Sequence, residues 1–258
     1  MDIAALDGAP QLFASDCCMK LSPIRPHYLL KVVAAEVILT DGRDDHCVPS
    51  WVSRELRETA LVVVRRDSVT RIRIPIGIRG PERAQRWAAS YPPEAVRQII
   101  TPMDLLNRYN KTEGLFVSPA CNGLRSLVID WQWLTHSWGP GGSVGFELAT
   151  GKRTTTPRSD LDIIVYADKH LSRTDAKRLL ASARRLNVAV DIRVETPVCG
   201  FSLAEYVQPS ATSMLLRTCA GPILSNNPWN ADLLSTYEQK LARKNHAEFA
   251  ATPSGSRP

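Results

Sequence analysis

The sequence has no long apolar run, and this absence excludes a membrane-spanning segment. Its longest apolar stretch, residues 29–39, has 11 residues and contains Lys31 and Glu36, whereas a helix needs about 20 apolar residues to cross a bilayer. The acidic start, "MDIAALDGAP", also lacks the basic segment and apolar core of a secretory signal. We therefore expect a cytoplasmic protein with no membrane partner.

The spacing of the cysteines argues against a zinc site. The six cysteines form no CxxC pair, since Cys17 and Cys18 are adjacent and the others are scattered. Reduced thiols are the expected state of such a chain in the cytoplasm. Low-complexity blocks and internal repeats are absent as well. With 44% apolar and 22% charged residues over 258 positions, the composition indicates a globular protein with a proper core.

Positive charge is in excess, and it is concentrated in two segments. The net charge is +6; residues 65–108 hold nine arginines against four acids, and residues 150–185 hold nine basic residues against four. Such excesses suit an anionic ligand or an acidic protein partner, although a solvated basic surface would explain many of these side chains equally well. No basic stripe is interleaved with aromatic residues, so nucleic acid is not an expected partner.

The first part of the chain, residues 25–110, predicts a small α/β domain. Its predicted elements are a helix at 51–59, strands at 60–68 and 69–80, and three short helices at 81–90, 92–100 and 101–109. The two strands are expected to pair as a hairpin, since isoleucines alternate along the second. The three helices are predicted from prolines near their starts. Residues 111–123, rich in turn residues, predict a linker.

The second part, residues 124–230, predicts a further domain. Apolar residues three and four apart from Leu124 to Trp138 predict an amphipathic helix. "GSVGFELAT" predicts another helix, which Gly151 ends. Ser172, followed three residues later by Asp175, predicts the start of a third. A strand is predicted at 187–196, and residues 231–258 predict one helix followed by a disordered tail.

Two aspartates beside a predicted strand form the main candidate site. Asp160 and Asp162 lie on one face of that strand, with Cα atoms about 7 Å apart. This separation suits one or two Mg²⁺ ions, which take oxygen ligands and complete their shells with water and phosphate oxygens. Asp191, on the strand at 187–196, offers a third acid that could hold metal or accept a proton. The plainer alternatives are a surface pair and a water-facing acid.

A glycine-serine turn before a predicted helix is a candidate phosphate-binding element. Gly142 allows close approach of the backbone, and Ser143 adds a hydroxyl donor at the positive end of the helix dipole. Lys152, Arg153 and Arg158 then lie between this turn and the acidic pair. Each feature alone could be an ordinary loop. Their order, a turn, an acidic pair, a helix and a strand with a third acid, favours a functional site.

The segments "GGSVGFELATG", "SDLDIIV" and "VAVDI" resemble the nucleotidyltransferase superfamily of polymerase-β-like fold. The 16-residue gap between Ser143 and Asp160 is longer than that superfamily usually shows and fits one branch, the phosphoribosyl-dephospho-CoA transferases of malonate decarboxylase. The similarity extends over roughly residues 25–228, through "RPHYLL", "PIGIRGPERAQRW", "TPMDLL", "DIRVETPVCGFSLAEY" and "MLLRTCAGPIL". It implies an α+β fold, in which a small α/β domain precedes a nucleotidyltransferase domain with a mixed sheet.

The resemblance also implies a reaction. The donor would be 2'-(5''-triphosphoribosyl)-3'-dephospho-CoA, the acceptor a serine of the acyl-carrier subunit of malonate decarboxylase, and the by-product pyrophosphate. Asp160 and Asp162 match the family's acidic pair and would hold Mg²⁺, and Gly142 and Ser143 match its turn. Asp191 corresponds to the superfamily's third acid, which holds metal or positions the acceptor.

The N-terminal part offers no acid cluster, so its expected role is binding. Arg79 and Arg83, with Arg86, could contact the donor or an acidic carrier protein, or they could simply be solvated. His27 is expected to be a structural histidine. Two other functions stay open: another Mg²⁺-dependent nucleotidyltransferase that modifies a protein or a small molecule, and a non-catalytic nucleotide-binding module.

Overall fold

The computed structural model describes residues 24–33, 48–67, 73–82, 84–111, 117–208, 212–230 and 232. This part of the chain forms two β-sheets with helices, which confirms the α+β class. The predicted terminal helix and tail lie outside the described residues, apart from Asp232. The division at residues 111–123 stays a prediction. None of the described helices is both long and apolar enough to span a bilayer.

The first sheet is antiparallel throughout, in the order β4-β3-β2-β1-β5. Its elements are β1 (Leu29–Val32), α1 (Ser50–Thr59), β2 (Leu61–Val64), β3 (Ile74–Arg79), β4 (Arg86–Tyr91), a short 3-10 turn (Pro93–Ala95) and β5 (Val96–Ile100). The hairpin of β2 with β3 confirms the pairing predicted from alternating isoleucines. Helix α1 confirms the helix predicted at 51–59.

Two helices predicted in this half are wrong. The described residues among 81–90 form a turn and β4, because the Gly80 amide donates to the Gln85 carbonyl at 3.0 Å and closes a hairpin between β3 and β4. Pro81 lies in that turn. Residues 92–100 form the 3-10 turn and β5, which pairs with β1. In both segments pairing with a neighbouring strand outweighs the local signal of a proline at a helix start.

The second sheet is mixed, in the order β11-β10-β9-β8-β7-β6. Its strands and the accompanying helices are α2 (Pro102–Lys111), α3 (Pro119–Asp130), β6 (Ser137–Pro140), α4 (Gly142–Thr150), β7 (Leu161–Tyr166), α5 (Arg173–Arg184), β8 (Val190–Glu195), β9 (Gly200–Ser202), α6 (Leu203–Tyr206), β10 (Met214–Thr218) and β11 (Gly221–Ser225). Among these strands β7 and β8 are parallel, joined through α5. The mixed sheet was expected from the resemblance.

Helix ends in this half follow local chemistry. The Ser172 side chain accepts from the Asp175 amide and caps α5, and Gly151 ends α4 in the left-handed conformation, so both predicted boundaries are confirmed. The helix predicted from Leu124 to Trp138 is partly wrong. It begins earlier, where Ser118 caps α3, and it ends at Asp130; Trp138 lies in β6.

Strand β7 lies between the two halves of the molecule because its residues alternate between two apolar clusters. Leu161, Ile163 and Val165 pack in the cluster that includes helices α3 and α5. Ile164 and Tyr166, on the opposite face, pack in the cluster of the first sheet. The Tyr166 hydroxyl donates to the Pro26 carbonyl at 2.9 Å. By this alternation Asp162 faces the first sheet rather than bulk water.

Candidate active site

The three candidate acids lie at the start of two adjacent strands. Asp162 is the second residue of β7, and Asp160 directly precedes that strand. Because β7 and β8 are parallel neighbours, Asp191 is the direct partner of Asp162 in the register. Adjacent strands are about 4.8 Å apart. The fold therefore brings Asp191 beside Asp162, although 29 positions of sequence separate the two residues.

The Asp162 carboxyl is partly buried, and its pKa is raised. Burial is the largest cause, followed by repulsion from Asp160 and Asp191. Arg193 and Arg79 act in the opposite direction, since their positive charges favour the carboxylate. Two neighbouring negative charges therefore add to the effect of burial, and a bound cation would relieve this repulsion.

The glycine-serine turn lies directly against Asp162. The Gly141 amide donates to the Asp162 carbonyl at 2.9 Å, and α4 begins with Gly141 as its N-cap, so no side chain caps its first amides. Gly142 has φ +52°, and a Cβ added there would lie 1.7 Å from Asp162 Oδ2. Glycine is required at 142 for both reasons. Ser143 is buried in the first turn of α4.

A cavity of about 440 Å³ opens between the two sheets beside this turn. Gly142 and Asp162 form part of its wall. The wall is rich in arginine, which comes from β3 and β4 of the first sheet, the segment after β2, and strands β8 and β10; these side chains are Arg65, Arg66, Arg79, Arg86, Arg193 and Arg217. The volume lies in the usual range for small-molecule sites. Both halves of the chain therefore supply positive charge to one pocket.

The other basic residues predicted for the site lie elsewhere. Lys152 donates to the Glu58 carbonyl at 3.3 Å and forms an exposed ion pair with the Glu58 carboxylate at 3.5 Å. Arg153 and Arg158 are exposed and are not part of the cavity wall. Arg79 lines the cavity, whereas Arg83 lies outside the described residues.

A buried glutamate explains how the long gap between the turn and the acidic pair is organised. Glu147, on α4, accepts hydrogen bonds from the backbone amides of Thr154 and Thr155 at 2.8 and 2.7 Å. The Thr154 hydroxyl donates to the Ser143 carbonyl at 2.8 Å. The loop that leads into Asp160 is thus fixed to the helix that carries Ser143. Sequence reasoning missed Glu147, although a lone acid in the apolar helix "VGFELAT" was a signal.

His27, Glu195 and Arg66 form a second polar group in the cavity wall that sequence reasoning also missed. His27 Nε2 lies 3.1 Å from Glu195 Oε1, and Arg66 forms an ion pair with the Glu195 carboxylate. Glu195 is 2% exposed. The available signal was that Asp191, Arg193 and Glu195 alternate on one face of β8. This polar face suggested contact with water, but in the structure it faces the first sheet.

The donor set fits a Mg²⁺ ion held by two carboxylates better than a complete protein cage. Within the described residues, no three His, Cys, Asp or Glu side chains converge on one metal position. Asp191 accepts a hydrogen bond from Arg193 at 2.9 Å. Asp162 lies against the turn, whereas Asp160 precedes the same strand, is exposed and lies outside the cavity wall. Mg²⁺ commonly takes only one or two carboxylates and completes its octahedron with water and phosphate oxygens.

Comparison with known proteins agrees with this geometry. The model of the phosphoribosyl-dephospho-CoA transferase MdcG N-terminal domain matches residues 25–102, and that of the MdcG C-terminal domain matches residues 115–228. Both are domains of a transferase, so the chain is placed among transferase enzymes. More particularly, the chain belongs to the phosphoribosyl-dephospho-CoA transferase family.

Curated relatives support the same assignment over most of the chain. A phosphoribosyl-dephospho-CoA transferase of Pseudomonas aeruginosa is 34% identical over 70% of this chain and 85% of its own length. Proteins of the same name from Klebsiella pneumoniae and Azotobacter vinelandii are each 32% identical, over 81% and 80% of this chain and 97% and 94% of their own lengths. A comparison with solved structures gave no significant match.

Proposed function

We propose that this protein transfers the phosphoribosyl-dephospho-CoA group from 2'-(5''-triphosphoribosyl)-3'-dephospho-CoA to a serine of the apo acyl-carrier subunit of malonate decarboxylase, with release of pyrophosphate. Membership of the family supports the transferred group. The observation that carries the proposal is the arginine-lined cavity whose wall also contains Asp162 and Gly142. A polyanionic donor needs this combination of positive charge, exposed helix amides and carboxylates for a metal ion.

The cavity is suited to the reacting end of the donor. A volume of about 440 Å³ accommodates the triphosphate and ribose better than an entire CoA derivative. The uncapped first amides of α4 at Gly142 and Ser143 would bind the outer phosphates. Arg79 and Arg193 face Asp162 closely enough to affect its pKa, so they would lie beside phosphates bound at the same place. Their charge would stabilise the departing pyrophosphate.

Asp160 and Asp162 would hold a Mg²⁺ ion beside these phosphates, and Asp191 would lie next to them on β8. The ion would supply a Lewis acid that polarises the phosphoryl group. The protein's own residues do the remaining work: the turn orients the triphosphate, and the arginines balance its charge. Because the first sheet forms part of the wall, it would help to position the donor.

Mass spectrometry of the apo carrier subunit after incubation with protein, Mg²⁺ and donor tests the proposal. The expected result is a mass increase equal to the phosphoribosyl-dephospho-CoA group, located on a serine. A parallel incubation with ATP in place of the donor tests the alternative of another nucleotidyltransferase. Transfer from ATP without transfer from the triphosphoribosyl donor would exclude the proposed substrate.

The acidic pair is tested in the same assay with Asp160→Ala. Losing one metal-binding carboxylate removes several kcal/mol of transition-state stabilisation, so the transfer rate should fall about a thousandfold or more. Asp168→Ala is the matched control, because Asp168 follows the same strand but forms an exposed ion pair with Arg25. Near-normal transfer by Asp160→Ala would show that Asp160 is not a metal ligand for the reaction.

A further inference from the structure

Residues 24–28 lead into β1, and among them His27 is the titratable residue that lines the cavity. It directly precedes Tyr28 and β1, and its side chain is 32% exposed. Its Nε2 lies 3.1 Å from a carboxylate oxygen of Glu195, a residue of β8. A residue from one half of the chain is therefore bound to an acid from the other half, in the pocket that also contains Asp162.

The backbone at His27 supports a requirement for this side chain. His27 has φ +72°, in the left-handed region, where glycine would be free of strain and other residues are uncommon. Its amide donates to the Val64 carbonyl at 3.0 Å, which fixes this conformation at the end of β2. Histidine is one of the few residues other than glycine that are enriched in this region, so the position accepts an imidazole at a modest conformational cost.

The partner of His27 is itself held in place. The buried Glu195 carboxylate forms an ion pair with Arg66 and accepts from the imidazole. A Cβ added at Gly200 would lie 2.5 Å from Glu195 Oε1 and 2.6 Å from Arg66 Nη2, so only glycine leaves room for the pair. Because an ionised carboxylate accepts at Nε2, the proton of the neutral imidazole is on Nε2, and Nδ1 keeps its lone pair.

We infer that His27 is the proton acceptor for the hydroxyl that attacks the donor, and that Glu195 and Arg66 position its ring. This inference rests on the proposed function. In the step, the acceptor serine Oγ forms a bond to the phosphorus attached to the ribose, and the bond from that phosphorus to the pyrophosphate oxygen breaks. Pyrophosphate leaves with the electron pair. The hydroxyl proton moves to His27 Nδ1, and Glu195 stabilises the resulting imidazolium.

The surroundings of His27 fit this role. Burial, and then Arg66 and Arg193, lower its pKa to about 3; Arg217 acts in the same direction and Asp162 in the opposite one. The imidazole is therefore unprotonated in the free protein, and it becomes an effective base only when a bound donor offsets the arginines and raises this pKa. A bound triphosphate would balance the charge of the arginines, so the imidazolium would be tolerated only while the donor is present.

Asp191, the other candidate proton acceptor, is less well placed. Its carboxylate is ion-paired with Arg193 at 2.9 Å, so one of its oxygens is already engaged by a guanidinium group. It is also not part of the cavity wall, whereas His27 is. Asp191 is better suited to holding Arg193 and to the charge balance around Asp162.

The test is chemical rescue of His27→Gly by imidazole. Glycine at this position removes the backbone strain and leaves a space for free imidazole, so the variant should fold. Its kcat for carrier modification at saturating donor should fall about a hundredfold or more, while the dissociation constant of the donor stays near that of wild type. Added imidazole should restore the rate in proportion to its concentration.

The matched control is Ala60→Gly, because Ala60 also has positive φ, at 51°, but lies outside the cavity wall. It should transfer at the wild-type rate, with no response to imidazole. If His27→Gly keeps the kcat of the wild-type protein, or if imidazole does not restore its lowered kcat, the inference is overturned and the proposed function stays intact. Wild-type protein that transfers nothing from the donor would overturn both.

Discussion

At the scale of single residues, the site depends on how closely the backbone approaches Asp162. Gly142 is the decisive residue, because a side chain at this position would occupy the place of the Asp162 carboxylate. Asp191 and Arg193 then set the charge around that carboxylate from the adjacent strand. Three charged side chains and one glycine therefore determine the geometry at which phosphate and metal would meet.

Replacing Gly142 with alanine should distinguish the close approach of its backbone to Asp162 from ordinary backbone strain. Gly142→Ala places a Cβ 1.7 Å from Asp162 Oδ2 and should displace the carboxylate, lowering the transfer rate about a hundredfold. Gly151→Ala is the control, since Gly151 also has positive φ, but an added Cβ there meets nothing within 4 Å. Both variants should lose about 1–2 kcal/mol of stability. Equal transfer rates in the two variants would contradict the role of Gly142.

At the scale of elements, α4 and the loop after it act as one unit. Sequence patterns predicted the helix and its end at Gly151, but the loop from 151 to 160 had no periodicity to interpret. Its conformation depends on the buried Glu147, which binds two backbone amides of the loop. The course of the loop toward Asp160 thus depends on a side chain 13 residues before Asp160 in the sequence.

Removing Glu147 should loosen this unit. Glu147→Ala leaves the amides of Thr154 and Thr155 without their acceptor, at a cost of about 1–3 kcal/mol for the buried Thr155 amide and less for the partly buried Thr154 amide. The free energy of unfolding in urea should fall accordingly, and the transfer rate should fall with it. Glu205→Ala, which removes an exposed acceptor of the Leu215 amide, should cost about 0.5 kcal/mol. An unchanged unfolding free energy in Glu147→Ala would contradict the structural role.

At the scale of the whole molecule, the cavity exists only because the two sheets pack together. One face of β7 packs its apolar side chains against helices α3 and α5. The other face carries Asp162 together with Ile164 and Tyr166, which pack into the apolar cluster of the first sheet. The N-terminal half is therefore part of the site rather than an attached binding module. Arginines contributed by both halves give the pocket a positively charged wall.

Binding of inorganic tripolyphosphate, measured by calorimetry, tests this shared positive pocket. Arg86→Gln, which removes a cavity-lining guanidinium from β4, should raise the dissociation constant about tenfold or more, because a hydrogen bond to a charged group contributes about 1.5–3 kcal/mol. Arg97→Gln changes an exposed arginine of β5 outside the cavity wall and should have little effect. Higher salt should weaken binding in every case. Equal losses in the two variants would exclude a specific role for the cavity.

The sequence by itself determined the features that local periodicity and capping encode. Helix α4, the Ser172 cap, the hairpin of β2 with β3 and the alternation of β8 follow from residues close together in the chain. Segments whose state depends on a distant strand were wrong: residues 81–90 and 92–100 pair in the first sheet although their prolines suggest helix starts.

Only the tertiary structure decided which polar residues share the pocket. The polar face of β8 is compatible with water, and its residues give no local sign that another sheet covers them. His27, separated from Glu195 by 168 positions, is brought to it by packing of the two sheets. Contacts of this kind depend on the whole fold rather than on neighbours in sequence. Inspection of a single sequence therefore identifies the candidate acids but not the residues that contact them.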